Sequence, residues 1–316
     1  MGSESVLKLP LIDFSELGDS KPGSRGWDSV QSAVRKALEE YGCFEAFYDK
    51  VTVQLHDEVF HKMEEMFNLP AETKCRFVDP AILYDGYLSG LPPNPLNEAM
   101  GMHDSLNSGA IERLADLLWP EGNTKFCELL NTYVRRFSEL DYSIRKMVFR
   151  SFGVEHYLES HVGSTKYSLR LLKYEAPKTD ETKAGSITHY DINFVTILQQ
   201  NHVNGLEVQT KNGDWIKVAP SASSSIVMIG ESFLGWSNGR LYCPRHRVMM
   251  SGHEARHSIG IFSSVEGTIR CPDELVDEQH PLLFKPFDAD GLVRIYATPE
   301  GQNGASALKT FYSTSN

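Results

Sequence analysis

The second half of the chain consists of short β-favouring runs at even spacing, and this pattern constrains the fold more than any other feature. Turn-forming pairs such as Asn204-Gly205 and Asn212-Gly213 separate the runs. Many short strands without alternating helices are typical of a β-sandwich or a jelly roll. The predicted strands are Tyr167–Tyr174, Phe194–Gln199, Leu206–Thr210, Trp215–Val218, Ser225–Ile229, Arg247–Met250 and His257–Phe262.

The first half has the periodicity of helices instead. One helix is predicted from Trp27 to about Tyr41, a second from about Val51 to Phe67, and a long third one from about Asn123 to Phe152. Residues 79–107 lack clear periodicity, which predicts a long loop of the kind that often forms a lid. The tail from Asp290 to Phe311 is expected to close as a helix.

The composition restricts the possible partners. Hydrophobic residues make up 41% of the 316 residues, enough for a sizeable core. The net charge is −11, with acidic and basic residues mixed along the chain, which argues against nucleic acid and more weakly against anionic membrane surfaces. No apolar run reaches membrane-spanning length either. We therefore expect that the protein binds neither nucleic acid nor membrane, and we also expect a monomer.

The cysteines and the N-terminal residues predict a cytoplasmic protein. Five cysteines lie far apart and form no CxxC pair, which is typical of buried free thiols in a reducing compartment. The first residues also lack the basic and apolar segments of a secretion signal. The cysteines are Cys43, Cys75, Cys127, Cys243 and Cys271.

Two histidines and one aspartate form a candidate metal site. If His189 and Asp191 lie in one strand, their side chains point to the same face, and His246 on a neighbouring strand could complete the set. Two imidazoles and one carboxylate leave three coordination positions open on an ion, as in non-haem Fe(II) oxygenases. A His-x-Asp pair alone is a weak signal, and a single histidine in an apolar strand is more often a core residue.

The residues that follow make the metal interpretation stronger. Arg256 and Ser258 come about one strand after His246 and would share a strand face. A guanidinium binds a carboxylate through two hydrogen bonds, and a nearby hydroxyl can donate to the same group. Taken alone, Arg256 would be read as a surface residue, but beside the metal set it favours a dicarboxylate site. Tyr174 could add a phenol donor.

Motifs along nearly the whole chain resemble the plant 2-oxoglutarate/Fe(II)-dependent dioxygenase superfamily. The later motifs resemble the branch with glucosinolate side-chain dioxygenases and steroidal glycoalkaloid hydroxylases. The general motifs lie at 9–14, 40–44, 66–74, 204–208 and 236–240, and those of the branch at 215–218, 227–230 and 274–287.

The resemblance implies a mostly β fold with flanking helices, in which a double-stranded β-helix (jelly roll) core follows a helical N-terminal region. It divides the chain into a helical-rich region at 1–160, the Fe(II)/2-oxoglutarate core at 161–265 and a closing segment at 266–316. It implies that His189, Asp191 and His246 bind Fe(II).

By the same resemblance, Arg256, Ser258 and Tyr174 bind 2-oxoglutarate. O2 is then the second cosubstrate and ascorbate the expected reductant. The implied reaction is hydroxylation, demethylation or desaturation of a small plant specialised metabolite, through a ferryl intermediate.

Several residues depart from the superfamily pattern, which has Thr where Tyr190 stands, Asn at Leu172, Asp at Glu231 and Tyr at His257. None of these changes removes a ligand, but they leave the substrate open. Each substrate-side candidate has core packing as its alternative explanation. These candidates are Tyr190, Asn193, Tyr84, Tyr87, Phe262 and Phe311.

Other functions remain open from the sequence. An oxidase that uses ascorbate without 2-oxoglutarate would have the same metal set. A catalytically silent small-molecule-binding protein on the same scaffold is disfavoured by the intact ligands. A zinc hydrolase would give no reason for Arg256 and Ser258.

Overall fold

Two facing β-sheets form the centre of the structure, a computed structural model that describes residues 7–17, 20–78, 85–90, 94–296, 298 and 304–314. The described strands are β1 (Leu11–Asp13), β2 (Cys43–Phe47), β3 (Gly86–Ser89), β4 (Asn97–Met102), β5 (Thr165–Tyr174), β6 (Lys183–His189), β7 (Val195–Gln200), β8 (Leu206–Gln209), β9 (Trp215–Lys217), β10 (Ser224–Ile229), β11 (His246–Met250), β12 (Arg256–Val265), β13 (Thr268–Ile269) and β14 (Phe287–Asp288).

The larger sheet has the order β1-β2-β10-β7-β12-β5-β4-β3, and the smaller one β6-β11-β8-β9. Neighbouring strands are antiparallel except for the parallel pair β1 and β2. This confirms the predicted mostly β fold with a jelly-roll core and flanking helices. Within the larger sheet, β5, β12 and β7 are the central strands that connect the two halves.

The pairing register divides the larger sheet into two faces. In β12, Arg256 is opposite Tyr174 of β5, and Ser258 is opposite Gln200 of β7. Directly paired residues in antiparallel strands share a face, so these four side chains lie on one side. We call it the inner face, because a Cβ built on Gly185 of the smaller sheet would lie 2.8 Å from Tyr174 Cδ1.

Helices cover the opposite, outer face. The described helices are α1 (Arg25–Glu40), α2 (Val53–Phe67), α3 (Ala71–Lys74), α4 (Ala110–Leu118), α5 (Thr124–Ser151), α6 (Leu158–Gly163), α7 (Glu231–Trp236), α8 (Ala289–Tyr296) and α9 (Ala307–Tyr312). The long helix α5 packs against α1, α2, β7 and β12, and its apolar stripe is buried. The three long helices predicted from the sequence are confirmed within two residues at each end.

Local capping explains where these helices start. Ser24, Thr52 and Asn123 precede α1, α2 and α5, and each side chain accepts a hydrogen bond from a backbone N–H of the first turn. After α5, Gly153 has a φ of +77°, a conformation that glycine adopts without strain and that ends the helix.

The predicted loop at 79–107 is partly wrong, because β3 and β4 lie within it and extend the larger sheet. In β4, Glu98, Met100 and Met102 face outward, whereas Ala99 and Gly101 face inward. Small inward residues hide the alternation of a strand, so the pattern looked irregular. Residues 79–84 and 91–93 lie outside the described residues.

The tail contains two short helices, α8 and α9, in place of the single predicted closing helix. Strands β1–β4 come from the predicted N-terminal region but pair within the larger sheet. The first two predicted regions therefore share one sheet, whereas β13 and β14 of the closing segment pair with each other. The division into three regions stays a prediction.

All five cysteines are described as free thiols, but the predicted burial holds only for Cys43 and Cys243, since Cys127 and Cys271 are half-buried and Cys75 is exposed. In the described part of the chain, no helix is long and apolar enough to cross a membrane.

Candidate functional site

The two predicted histidine ligands lie side by side at the ends of neighbouring strands. His189 ends β6 and is paired with His246, which begins β11. Their ring centroids are 4.2 Å apart. This proximity follows from the antiparallel pairing of the two strands, although 57 positions of sequence, from 189 to 246, separate the residues.

Asp191 reaches the histidines by a route that the sequence analysis did not predict. It lies two residues beyond the end of β6, so strand alternation does not place it, and that premise is wrong. Its carbonyl oxygen accepts a hydrogen bond of 2.7 Å from the backbone N–H of Glu231. Gly230 makes this contact possible, because a Cβ there would lie 2.1 Å from Asn193 O and 2.9 Å from Asp191 O.

The three side chains fit a single metal ion. Asp191 Oδ1 lies 3.9 Å from His189 Nε2 and 3.7 Å from His246 Nε2, and the three ligand atoms are all within 4.8 Å of one another. Two atoms that each lie about 2.1 Å from one ion can be at most about 4.2 Å apart, and both distances from Asp191 Oδ1 are below this limit. Among the described residues, this is the only group of histidine, cysteine and acidic side chains with such geometry.

His189 is held in the form that a metal requires. Its Nδ1 lies 2.8 Å from the carbonyl oxygen of Ile187. If Nδ1–H donates this bond, the lone pair of Nε2 faces the other two ligands. Burial, and then the neighbouring His246, lower the pKa of His189 to about 4, although Asp191 opposes the shift. The imidazole is therefore neutral at pH 7.

A hydroxyl group orients the carboxylate. Thr196 Oγ1 donates a hydrogen bond of 2.6 Å to Asp191 Oδ2, and Asn193 Nδ2 donates to Thr196 Oγ1 at 3.1 Å. Because Oδ2 is engaged, Oδ1 is the oxygen that faces the histidines. Asn193 was predicted on the substrate side, but its amide also donates to Val195 O, so the structure uses it inside the loop that carries Asp191.

Arg256 lies on the inner face and is 1% exposed. Its Nη1 is 3.2 Å from Ser258 Oγ, and its Nη2 and Nε donate to Gln200 Oε1 at 2.6 and 3.2 Å. Its guanidinium carbon is 5.3 Å from the ring centroid of Tyr174. Arg256 forms no ion pair with any carboxylate of the described residues, so its charge has only neutral partners.

Two glycines of the smaller sheet make room for this cluster. A Cβ on Gly205 would lie 3.0 Å from Arg256 Cδ, and one on Gly185 would lie 2.8 Å from Tyr174 Cδ1. Larger residues at either position would displace the side chains that the resemblance assigns to 2-oxoglutarate. Burial raises the pKa of Tyr174, which is therefore a neutral phenol at pH 7.

The substrate-side predictions have different outcomes. Phe262 is two positions from Gly260 and four from Ser258 in β12, so it lies on the inner face, and its role on the substrate side stays a prediction. Tyr87 lies in strand β3 on the outer face, where its hydroxyl donates to Glu98 Oε1 at 2.7 Å, so this contact lends no support to its predicted role on the substrate side, which stays a prediction.

The remaining candidates stay predictions. Tyr190 packs against the main hydrophobic core, with the guanidinium carbon of Arg245 6.0 Å from its ring centroid. Phe311 is 49% exposed on α9. Tyr84 lies outside the described residues.

Three inner-face residues were missed by the sequence analysis: Arg170, Thr196 and Gln200. Arg170 is four positions before Tyr174 in β5, and its guanidinium carbon is 5.0 Å from the ring centroid of Phe262. Thr196 and Gln200 are likewise four positions apart in β7. Counting in steps of two from Tyr174 along its strand would have found Arg170. Thr196 and Gln200 share its face only through the pairing register of β7 with β12, which the sequence does not show.

Family models match two parts of the chain. Residues 165–264 match the 2OG-Fe(II) oxygenase superfamily, and residues 9–107 match the N-terminal region described as "non-haem dioxygenase in morphine synthesis". The first match contains all six residues assigned above to the metal and the co-substrate.

Similar proteins match over almost their full length. A probable 2-oxoglutarate-dependent dioxygenase of Arabidopsis thaliana, AOP1.2, is 43% identical over 312 residues, which cover 96% of this chain and 95% of that protein. The crystal structure of a rice dioxygenase for auxin oxidation has a TM-score of 0.81 and 27% identity, over 96% of this chain and 100% of that one. Its Arabidopsis thaliana counterpart, solved as a complex with 2-oxoglutarate, has a TM-score of 0.77 and 27% identity, over 87% of this chain and 100% of that one.

Proposed function

Because this chain belongs to the 2OG-Fe(II) oxygenase superfamily and is a 2-oxoglutarate-dependent dioxygenase, we propose that its reaction takes place on the inner face between the two sheets. His189, Asp191 and His246 bind Fe(II) there. Arg256, Ser258 and Tyr174 bind the far carboxylate of 2-oxoglutarate. The substrate is a small plant specialised metabolite, which loses hydrogen from a C–H bond near the metal set.

The uncompensated charge of Arg256 is the observation that supports the co-substrate assignment most. A fully buried guanidinium remains charged, and an unpaired buried charge is strongly unfavourable. All its described partners are neutral, so a dianionic ligand would supply the missing negative charge. The same argument disfavours an ascorbate-dependent oxidase without 2-oxoglutarate and a zinc hydrolase, neither of which explains a buried cation at this position.

The chain's own residues bind, orient and exclude water. Neutral His189 offers Nε2, and Thr196 holds Asp191 so that one oxygen faces the histidines. When bound, Fe(II) and 2-oxoglutarate supply the chemistry that activates O2. Arg256 fixes the far end of the co-substrate, and the two sheets keep the inner face dry, which strengthens each charged contact.

The substrate would bind where Phe262 and Arg170 lie together on the inner face. The aromatic ring and the guanidinium would give this region an apolar part and a cationic part. Whether the outcome is hydroxylation, demethylation or desaturation depends on which C–H bond is held nearest the metal set. Ascorbate would act as the reductant that keeps the iron ferrous, and the protein would act as a cytoplasmic monomer that binds no nucleic acid.

An optical titration tests the site. Native protein is mixed with Fe(II) and 2-oxoglutarate without oxygen, and the visible charge-transfer band of the chelate is recorded. We expect the band in the native protein and its loss in His246→Ala and Arg256→Ala. His253→Ala removes an imidazole whose side chain is 81% exposed and serves as the matched control.

The reaction itself is tested by mass spectrometry. Plant metabolite fractions are incubated with enzyme, Fe(II), 2-oxoglutarate, ascorbate and O2, and succinate is measured with the product. Gain of oxygen, loss of a methyl group or loss of two hydrogens distinguishes the three outcomes. Turnover without 2-oxoglutarate would point to the ascorbate-dependent oxidase, and binding without product under any condition to the silent binding protein.

A further inference from the structure

Gln200 lies beside the residues that would hold the far carboxylate of the co-substrate, but neither the sequence motifs nor the comparisons give it a role. It ends β7 opposite Ser258, and its side chain is on the inner face. It is 3% exposed. Its amide therefore belongs to the same buried cluster as Arg256.

The orientation of this amide follows from the chemistry of its partner. A guanidinium only donates hydrogen bonds, so the group that faces it must be an acceptor. Gln200 Oε1 accepts from Arg256 Nη2 at 2.6 Å and from Nε at 3.2 Å. The amide nitrogen is consequently turned away from Arg256. It is buried and has no hydrogen-bond partner among the described residues.

The carbonyl oxygen also selects which edge of Arg256 remains available. The Nε and Nη2 groups lie on the side edge of the guanidinium, and Gln200 occupies it. The end edge, formed by Nη1 and Nη2, is the other edge that can hold a carboxylate through two parallel hydrogen bonds. Because Gln200 occupies the side edge, the end edge, whose Nη1 lies 3.2 Å from Ser258 Oγ, is the one left for a carboxylate.

We propose that Gln200 is a further binding residue for the far carboxylate of the dicarboxylate co-substrate. Its Oε1 fixes Arg256, and its Nε2 donates a hydrogen bond to the carboxylate that Arg256 holds. This inference rests on the proposed function. The cation Arg256 is then surrounded by three neutral donors, from Ser258, Tyr174 and Gln200. This arrangement favours a ligand whose far end is an anion over one whose far end is neutral.

The neighbouring glutamine shows how a purely structural amide is arranged. Gln199 is on the outer face and is also buried. Both of its ends have partners, because Oε1 accepts from Tyr133 Oη at 2.5 Å and Nε2 donates to Ser224 O at 3.4 Å. A buried donor left without an acceptor is unfavourable by about 1–3 kcal/mol, so a supporting role for Arg256 alone would not explain the amide of Gln200.

The test compares two ligands in two variants. Gln200→Met keeps the length of the side chain and removes both polar atoms. 2-Oxoglutarate and 2-oxopentanoate, which has a methyl group in place of the far carboxylate, are titrated into the Fe(II) protein without oxygen. We expect Gln200→Met to weaken 2-oxoglutarate about tenfold to a hundredfold, as for a hydrogen bond to a charged group, and to leave 2-oxopentanoate unchanged. Gln199→Met is the matched control and should behave as native.

The outcomes separate the two proposals. Equal weakening of both ligands, or of neither, in Gln200→Met would overturn the role of Gln200 alone. A native protein that binds 2-oxoglutarate no better than 2-oxopentanoate would overturn the proposed function as well. If Gln200→Met does not fold, a crystal structure of the native protein with metal and 2-oxoglutarate decides, because Nε2 should lie within about 3.2 Å of a far carboxylate oxygen. A separation above about 4 Å would exclude the bond.

Discussion

Two buried arginines on opposite faces of the same sheet have different electrostatic partners. On the outer face, Arg145 is fully buried, and its Nε lies 2.9 Å from the carboxylate of Asp141. On the inner face, Arg256 is equally buried but contacts only neutral groups. Burial alone therefore does not mark a binding site. A buried charge that is paired with an opposite charge of the protein is structural, whereas one that lacks such a partner indicates a ligand of opposite charge.

The ion pair on the outer face has further hydrogen-bonding partners. Tyr167 and Ser263 donate to the two oxygens of Asp141. His161 Nδ1 accepts from Arg145 Nη1 at 2.9 Å, and burial, followed by the charge of Arg145, lowers the pKa of His161 well below its usual value. The imidazole therefore stays neutral beside the cation. Each charged group of this network has a partner that suits it.

The largest expected effect is on the outer face. Arg145→Met leaves the carboxylate of Asp141 buried without its cation, which should lower the free energy of unfolding by about 3–5 kcal/mol. Urea denaturation measures the loss. The double variant Asp141→Leu/Arg145→Met should recover part of it, since no charge then remains buried. A single variant as stable as native protein would contradict the distinction between the two arginines.

On the inner face, the corresponding substitution should affect binding and leave folding intact. Arg256→Met removes an unmatched charge, so the unfolding free energy of the ligand-free protein should stay within about 1 kcal/mol of native or rise. The affinity for 2-oxoglutarate should fall by about 2–5 kcal/mol. Thermal unfolding with and without metal and 2-oxoglutarate measures both quantities, because a bound ligand stabilises the folded state. Retained stabilisation by 2-oxoglutarate would show that Arg256 is not its partner.

The sequence predicted the parts of the fold whose pattern is strong. The stripe of α5 and the strands around β7 and β12 have clear apolar periodicity, and their bounds agree with the structure within a few residues. β3 and β4 were missed because glycine and alanine on the inner face interrupt the alternation. Tyr87 was predicted in an irregular loop because the strand that carries it was not recognised.

The same limit applies to the site. The metal ligands and Arg256 could be predicted because their residue types and order carry the chemistry. The partners of these residues could not, because contacts such as Thr196 with Asp191 depend on the geometry of a turn beyond a strand end. Gln200 meets Arg256 only through the register of two strands 56 residues apart in sequence.

The buried carboxyl group of Glu231 differs from both arginines because it can become neutral by taking up a proton. Glu231 is 1% exposed and forms no ion pair with a cation in the described parts of the chain. Burial raises its pKa from 4.5 to about 7, although hydrogen bonds from Ser306 and Leu308 oppose the shift. A carboxylate without a cation can take up a proton, whereas a guanidinium such as that of Arg256 cannot lose one near neutral pH.

This difference predicts a pH dependence of stability. The pKa of Glu231 in the folded protein lies above its unfolded value of 4.5. Its contribution to the free energy of unfolding is therefore fully present below pH 4.5 and is lost as the pH rises through about 7. At about 1.4 kcal/mol per pKa unit, the loss could reach about 3 kcal/mol. Urea denaturation of metal-free protein gives the free energy of unfolding at about pH 5 and at about pH 8.5. Between these two pH values it should decrease less for Glu231→Gln than for native protein. An equal decrease in both would refute the assignment.

The smallest expected effect is on the metal affinity, through the hydrogen bond that the carboxylate of Asp191 accepts from Thr196. Thr196→Val keeps the shape of the side chain and removes the hydroxyl that donates to Asp191 Oδ2. Both carboxylate oxygens can then turn, so the affinity for a divalent ion such as Co(II) should fall about tenfold, as is typical when an outer partner of a metal ligand is removed. Thr196→Ser restores the donor and should recover most of the affinity, whereas the stability without metal should differ little between the two variants. If Thr196→Val binds Co(II) like native protein, the orientation of Asp191 is set by its backbone contact with Glu231 alone.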